Sequence, residues 1–365
     1  MTDHEKMKSD VESTLDALIS PARKVSSHEA AEKISTVGTG YIKTCAERPA
    51  KATSAIAAAA DEGEDEDEDE LYHGPSTPGV PRFFSNLWGT TIERVHNAPV
   101  EEQAHTEHIT RLVDLVGKLK ENSQPEAQEW LIGGEKAPWD HLPLLGSTIR
   151  DAYNEPIDTM GLESSTLLSQ EAQTTVAGAF QLESQHLSDE SSQSDAIRLA
   201  KSRHRWLSLQ AFISRLWRDC GCHDYALYAL WALRSALEDW PESPPKFDAK
   251  CETFEESPAY LAFQVEAASI WICNTAPLMY KCTEIWGPKG KDNWPKNAGA
   301  PGRGGRRWDG EDGYDREHKR WKLWKDVLGE VVQWCDGAGN DQMQGWKVKG
   351  AATRALEAMK EAERQ

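Results

Sequence analysis

Basic residues are in short supply in this chain of 365 residues: 41 Lys and Arg stand against 60 Asp and Glu, a formal net charge of −19. That deficit removes the cationic footprint that general duplex nucleic-acid binding requires, so nucleic acid is not the expected partner. Cysteine is sparse too. Cys45, Cys220, Cys222, Cys251, Cys273, Cys282 and Cys335 are odd in number and thinly spread, whereas a disulfide framework is dense, even and housed in a short secreted chain. Free thiols in a reducing compartment are expected. Long apolar runs are missing: Ala267 to Tyr280 is the longest uncharged apolar stretch, too short for a membrane span and broken by Pro277. The opening residues lack the charged-then-apolar pattern of a secretory leader, so a cytoplasmic or nucleocytoplasmic location and no membrane contact are expected. Hydrophobic residues make up only 39%, which points to a partly unfolded chain.

Catalytic signatures are also missing. There is no G-x-S-x-G elbow and no H-E-x-x-H, and Gly38-Thr39-Gly40 lacks the strand, third glycine and lysine of a phosphate loop. Cys220-x-Cys222-His223, with Cys251 as a conceivable fourth ligand, lacks the second separated pair that structural zinc favours. No metal and no cofactor are expected. Ser147 near His141 reads as a helix cap, and His105 and His108, at i and i+3, read as a solvated helix face.

Tryptophan is what the chain has in excess: 15, against 8 Tyr and 7 Phe. Large aromatics bury much area per residue, so a stable folded part is expected despite the modest hydrophobic content. Its pattern is helical. Phe83, Phe84, Leu87 and Trp88 cluster at helical spacing, and Ile109, Leu112, Val113, Val116 and Leu119 form one face. Trp206, Leu209, Ile213, Leu216 and Trp217 make a stripe, Gly221 suits a left-handed helix end, and Tyr225–Glu238 is apolar nearly all round, the mark of a central helix. Ser257-Pro258 reads as a helix start with Pro277 as its end or kink, and Trp321, Trp324, Leu328, Val331 and Cys335 fall in register before Gly337. No period-two alternation competes. The expected fold is all-α, an irregular multi-helix bundle or stacked helical hairpins with a disordered acidic N-terminal region.

Two domains of unequal order are expected. Residues 1–80 read as weakly anchored Ala-rich helix, opened by a capping box at Ser26 and Glu29, and a low-complexity acidic tract with nine carboxylates at 61–70. Residues 81–365 read as the helical domain, interrupted by a Ser-rich stretch at 182–195 and a loop at 287–315. That loop is the one locally basic region, with Lys289, Lys291, Lys296, Arg303, Arg306 and Arg307, and carries Trp294, Trp308 and an Arg303-Gly304-Gly305 triplet. It reads as a solvated insertion. Against the acidic run it raises two readings: a loose salt-sensitive latch, or two solvated segments that never meet.

Three stretches, Trp139–Asn154, Trp206–Leu216 and Tyr225–Trp240, together resemble an uncharacterised fungal family, the domain of unknown function numbered thirty-six thirty-two. The resemblance covers roughly residues 80–360. It implies an all-helical, intracellular domain and carries no activity. Within the first stretch Trp139 would dock over a helix start and Arg150 would project from its second turn, to clamp an anion or to pair structurally with an acid. A non-enzymatic interaction protein with a protein partner is the expected function, with Trp139, His141, Arg150 and Arg215 as candidate anion- or partner-binding residues. The alternatives are an enzyme whose site is assembled around His141, Arg150 and Arg215, and an RNA-associated protein using the 287–315 loop.

Overall fold

The computed structural model describes residues 1–22, 24–47, 74–154, 195–246, 255–337, 339–340 and 346–365. The acidic run at 61–70, the Ser-rich stretch and Cys251 lie outside them. The described chain is all-helical apart from one two-stranded ribbon. Contacts separate two units, Met1–Asn97 with Thr106–Glu155, and Ala98–His105 with Pro156–Gln365.

The first unit holds α1 (Asp3–Ile19), α2 (Ser27–Ala46), α3 (Val80–His96), most of α4 (Glu102–Lys120), the ribbon β1 (Leu131–Ile132) with β2 (Glu135–Lys136), and α5 (Leu145–Asn154). The expected boundary near residue 80 is not where the contacts divide, because α1 and α2 are anchored. Each opens with a capping box, Thr2 with Glu5 and Ser26 with Glu29. Val11, Leu15 and Ile34 are fully buried, and α1 packs on both α2 and α3. The reason lies in residues that read as weak in the sequence. Ala30 and Ala31 are buried, and a Cβ at Gly38 would fall on the Phe83 ring. Small residues let α2 approach its neighbours closely, so the shortage of large apolar side chains is a close-packing device.

Phe83, Phe84, Leu87 and Trp88 have no exposed surface, as their spacing suggested. Trp139 joins them, with ring centroids 5.0 Å from Phe84 and 5.9 Å from Phe83. Trp88 Nε1 donates to the Pro143 carbonyl at 2.6 Å, fixing the chain ahead of α5. His108 departs from expectation: it is buried, with its Nε2 2.9 Å from the Arg94 carbonyl, so the supposed solvated pair does not exist. Burial holds its imidazole below the ordinary value.

The second unit holds α6 (Asp195–Cys220), α7 (Ala226–Leu233) running into a π turn (Arg234–Glu238), α8 (Pro258–Lys281), α9 (Lys319–Cys335) and α10 (Val348–Ala362). Gly221 takes φ 65°, and the Ser257 hydroxyl caps α8 by accepting from Tyr260 N, both as the sequence indicated. Pro277 does not end α8 but lies inside it; the helix continues to Lys281, its last turns held by buried Ala276 and Met279. α8 packs against α6, α7 and α10. Three polar rungs cross from α6 to α8: Arg203 to Glu266, Gln210 Oε1 accepting from Trp271 Nε1 at 2.7 Å, and Ser214 Oγ accepting from Asn274 Nδ2 at 2.8 Å. Numbers rise together along both helices, so the two run parallel.

Candidate functional site

The four residues singled out in the sequence occupy different settings. Trp139 is wholly buried in the first unit's core and offers no ring face to a partner. His141 is exposed at the end of the 3-10 turn Trp139–His141, and Arg150 is exposed on α5 with its Nε 3.5 Å from Asp151 Oδ1. Ser147 Oγ donates to the Leu144 carbonyl at 2.9 Å. Arg215 belongs to the second unit, its Nε 3.3 Å from Asp219 one turn on. Cys220, Cys222 and His223 sit at the α6–α7 turn, and among the described residues no group of three or more His, Cys, Asp or Glu is placed to hold a metal ion. Burial pushes the Cys335 thiol up to about 11 and raises Cys273 and Cys282, which leaves these sulfurs poor nucleophiles.

The 287–315 segment is where expectation and structure part most. It has no helix or strand of its own, and while its tip, residues 288–299, is exposed apart from the half-buried Trp294, the segment is fastened at its neck and through residues 301–315 rather than solvated throughout. Trp286 N donates to Asp312 O at 2.7 Å, Gly302 N to Trp286 O at 2.8 Å, and Lys289 N to Asp312 Oδ2 at 2.9 Å. The chain therefore leaves and re-enters at one neck, in the manner of a compact loop with closed ends. Gly302 is required there, since a Cβ would fall on the Asp312 carbonyl oxygen. Behind the neck the Tyr314 hydroxyl donates to Ala226 O at 3.0 Å and Trp231 Nε1 to Pro301 O at 2.8 Å, tying the loop to α7.

One buried ion pair anchors the whole segment. Glu238, the last residue of the π turn, and Arg320, in the first turn of α9, are both fully buried. Arg320 Nε donates to Glu238 Oε1 at 2.7 Å and its Nη2 to Oε2 at 3.0 Å, the bidentate fork that gives Arg–carboxylate pairs their geometry. Trp324 Nε1 also donates to Oε1 at 2.8 Å and Gly305 N to Oε2 at 2.7 Å, so each oxygen accepts twice. The remaining Arg320 nitrogen reaches the loop carbonyls of Gly313 at 2.7 Å and Gly302 at 3.1 Å. A buried charge pair is tolerated only when its polar atoms are met in this way. Arg303-Gly304-Gly305 thereby gains a packing explanation: a Cβ at Gly305 would meet Glu238 Cβ at 2.8 Å.

The loop's cations divide into two sets. Lys289 pairs with Asp309, Arg306 Nε lies 3.8 Å from Asp239 Oδ1, and Arg307 Nη1 pairs with Glu330 at 2.8 Å. Lys291 Nζ stands 5.4 Å over the Trp294 ring. Lys296 and Arg303 are exposed and have no carboxylate partner among the described residues. Trp294 and Trp308 are half-buried and commit their N–H groups to Gly299 and Glu311 carbonyls.

Sequence reasoning missed Glu238, Arg320 and Arg234. A signal was present: Arg234 and Glu238 are the only charges on a helix that is otherwise nearly all apolar, and Arg320 directly precedes the Trp321/Trp324 stripe. A charge on an apolar face has to find a partner. The family model described as a protein of unknown function (DUF3632) matches residues 88–328, more than half of the chain, and that span includes the loop and both members of the buried pair. No curated protein and no solved structure matches.

Proposed function

The chain belongs to the DUF3632 family, whose description names no activity, and from that premise we propose that it is a non-enzymatic helical interaction module that docks a protein partner on the surface of the 287–315 loop. The observation that carries this reading is the clamp on the loop. A fully buried ion pair, a closed neck and glycines that tolerate no side chain hold a long segment without regular structure in one conformation. Long ordered loops on rigid frames are where binding residues concentrate. The candidate catalytic groups give no competing argument. His141 and Arg150 are exposed, and Arg215 is engaged with its own helix. No described helix is long and apolar enough to cross a membrane.

The neck makes the test clean, because Trp286 and Gly302 are already joined and the tip between them can be replaced by a short Gly-Ser link. Native affinity purification is run on the parent chain and on the chain with residues 288–300 replaced. The expected result is a partner recovered with the parent and lost with the folded variant. Equal recovery from both would remove the loop as the docking surface.

A further inference from the structure

The saturation of Glu238 leaves a neighbouring cation short. Arg234 opens the π turn that Glu238 closes, and π turns recur at functional positions in helices. Glu238 already accepts four hydrogen bonds and has no lone pair left for Arg234. Asp239 Oδ1 accepts from Arg306 N at 2.9 Å and faces the Arg306 guanidinium. Arg234 Nη1 is left with two carbonyl oxygens at the outer limit of hydrogen bonding, Pro301 at 3.5 Å and Arg303 at 3.4 Å, and Trp231 Nε1 holds the first of these at closer range. Arg303, whose backbone Arg234 touches, exposes its own guanidinium with no described carboxylate partner. Burial and then the positive charge of Arg303 act against the Arg234 cation, while Glu238 and Asp239, both already held by other donors, support it only at a distance. Arg234 and Arg303 thus adjoin at one edge of the clamped loop, with no direct hydrogen bond to a carboxylate and with the nearby Glu238 and Asp239 committed to other donors, which leaves room for an outside anion.

Resting on the loop-docking reading, we propose that Arg234 and Arg303 form a notch that binds side-chain carboxylates of an acidic polypeptide segment, with Arg306 as an outlying cation. Two planar forks suit carboxylate oxygens, which accept bidentate pairs. The alternative anion, a nucleic-acid backbone, needs a track of several free cations. Here Lys289 and Arg307 are neutralised by Asp309 and Glu330, which leaves no such track.

The probe is a fluorescein-labelled octaglutamate peptide, titrated with the full chain at about 50 mM salt, where screening is weak. The parent should raise its anisotropy. Arg303→Glu should weaken binding about tenfold or more, since reversing a contact charge adds repulsion to lost attraction. Arg234→Lys keeps the charge without the fork and should also weaken binding, by about threefold. Lys8→Glu makes the same charge change on the exposed face of α1 and should stay within about twofold. Equal losses for Arg303→Glu and Lys8→Glu would overturn the notch, as would absent peptide binding by the parent. Tighter, Arg303-dependent binding of an oligouridylate of equal length would also overturn it, making the ligand a nucleic acid. If the peptide fails while the purified partner is still lost on replacing 288–300, the notch falls and loop docking stands. If the variant lacking that tip keeps its partner, loop docking falls.

Discussion

Changing Glu238 to Gln takes one charge out of a pair whose side chains are 0% and 1% exposed. The Gln can still accept at one oxygen, but its amide turns donors toward Arg320 and the Gly305 N–H, which are themselves donors. Arg320 is then a buried cation with only carbonyls around it. Breaking one side of such a pair costs about 3–5 kcal/mol. With a urea m-value of about 2 kcal/mol/M for a domain of this kind, a loss near 4 kcal/mol lowers the midpoint of the second unit's transition by about 2 M. Urea unfolding followed by tryptophan fluorescence reads it directly, since Trp324 donates to the lost carboxylate. Loosening of the loop should accompany the shift, seen as faster trypsin cleavage after Lys296, Arg303, Arg306 and Arg307. Replacing both partners, as Glu238→Gln with Arg320→Met, should recover part of the loss but not all, because the Gly302 and Gly313 carbonyls lose their donor. A Gln variant within about 0.5 kcal/mol of the parent, cleaved at the parent's rate, would refute the clamp.

Leu15→Ala, at a fully buried position on α1, should destabilise the first unit by about 2–5 kcal/mol, and a chain starting at residue 74 should lose that unit's cooperative unfolding; near-parental thermal transitions in both would mean the first two helices are dispensable. His108 has a folded-state pKa lowered by burial, so its stabilising contribution is present above the unfolded value of about 6.5 and is lost as pH falls through the folded value. His108→Asn should flatten that part of the acid limb in a pH series of unfolding free energies, and an unchanged slope would count against the assignment. Gly302→Ala should cost about 1–3 kcal/mol and open the neck, measured as earlier loop proteolysis, because the added methyl meets the Asp312 carbonyl and backbone cannot move aside easily.

How much of this was legible in the sequence depends on which force decided each element. Burial of the Phe83–Trp88 cluster, the α4 face and the α9 stripe follows from helical periodicity alone, and Gly221 and Ser257 follow from local backbone and capping chemistry. α2 was misread because it packs partly through Ala30, Ala31 and Gly38, and small residues carry no hydrophobic signal, whereas α1 carried a helical stripe of Met7, Val11, Leu15 and Leu18 that was overlooked. The 287–315 loop was misread because its order comes from residues 238 and 320, and charge pairing across that separation leaves no periodic trace. His108 looked polar on its own helix and is covered by the end of α3, a contact that one helix's pattern cannot contain. Of the candidate site, the six loop cations were visible from composition. Which of them lack an acid was not, since Asp309, Asp239 and Glu330 take partners only in three dimensions.

The rungs between α6 and α8 have a consequence for how those two helices can slide. Parallel helices with apolar faces can usually pack in several offsets, because one leucine substitutes well for another after a shift of one turn, about 5.4 Å. Here the partners advance unevenly, from 203 to 210 to 214 on α6 and from 266 to 271 to 274 on α8. A slip of one turn would part Glu266 from Arg203 and leave at most one of the other two donors near a polar group, Trp271 by Ser214 in one direction or Asn274 by Gln210 in the other, with the rest unpaired. One axial alignment satisfies all three. The ladder thus works like the notches of a key: it adds little net attraction, yet it leaves the central helix of the second unit a single depth at which it fits, and with it a single place for the loop that hangs from its far end.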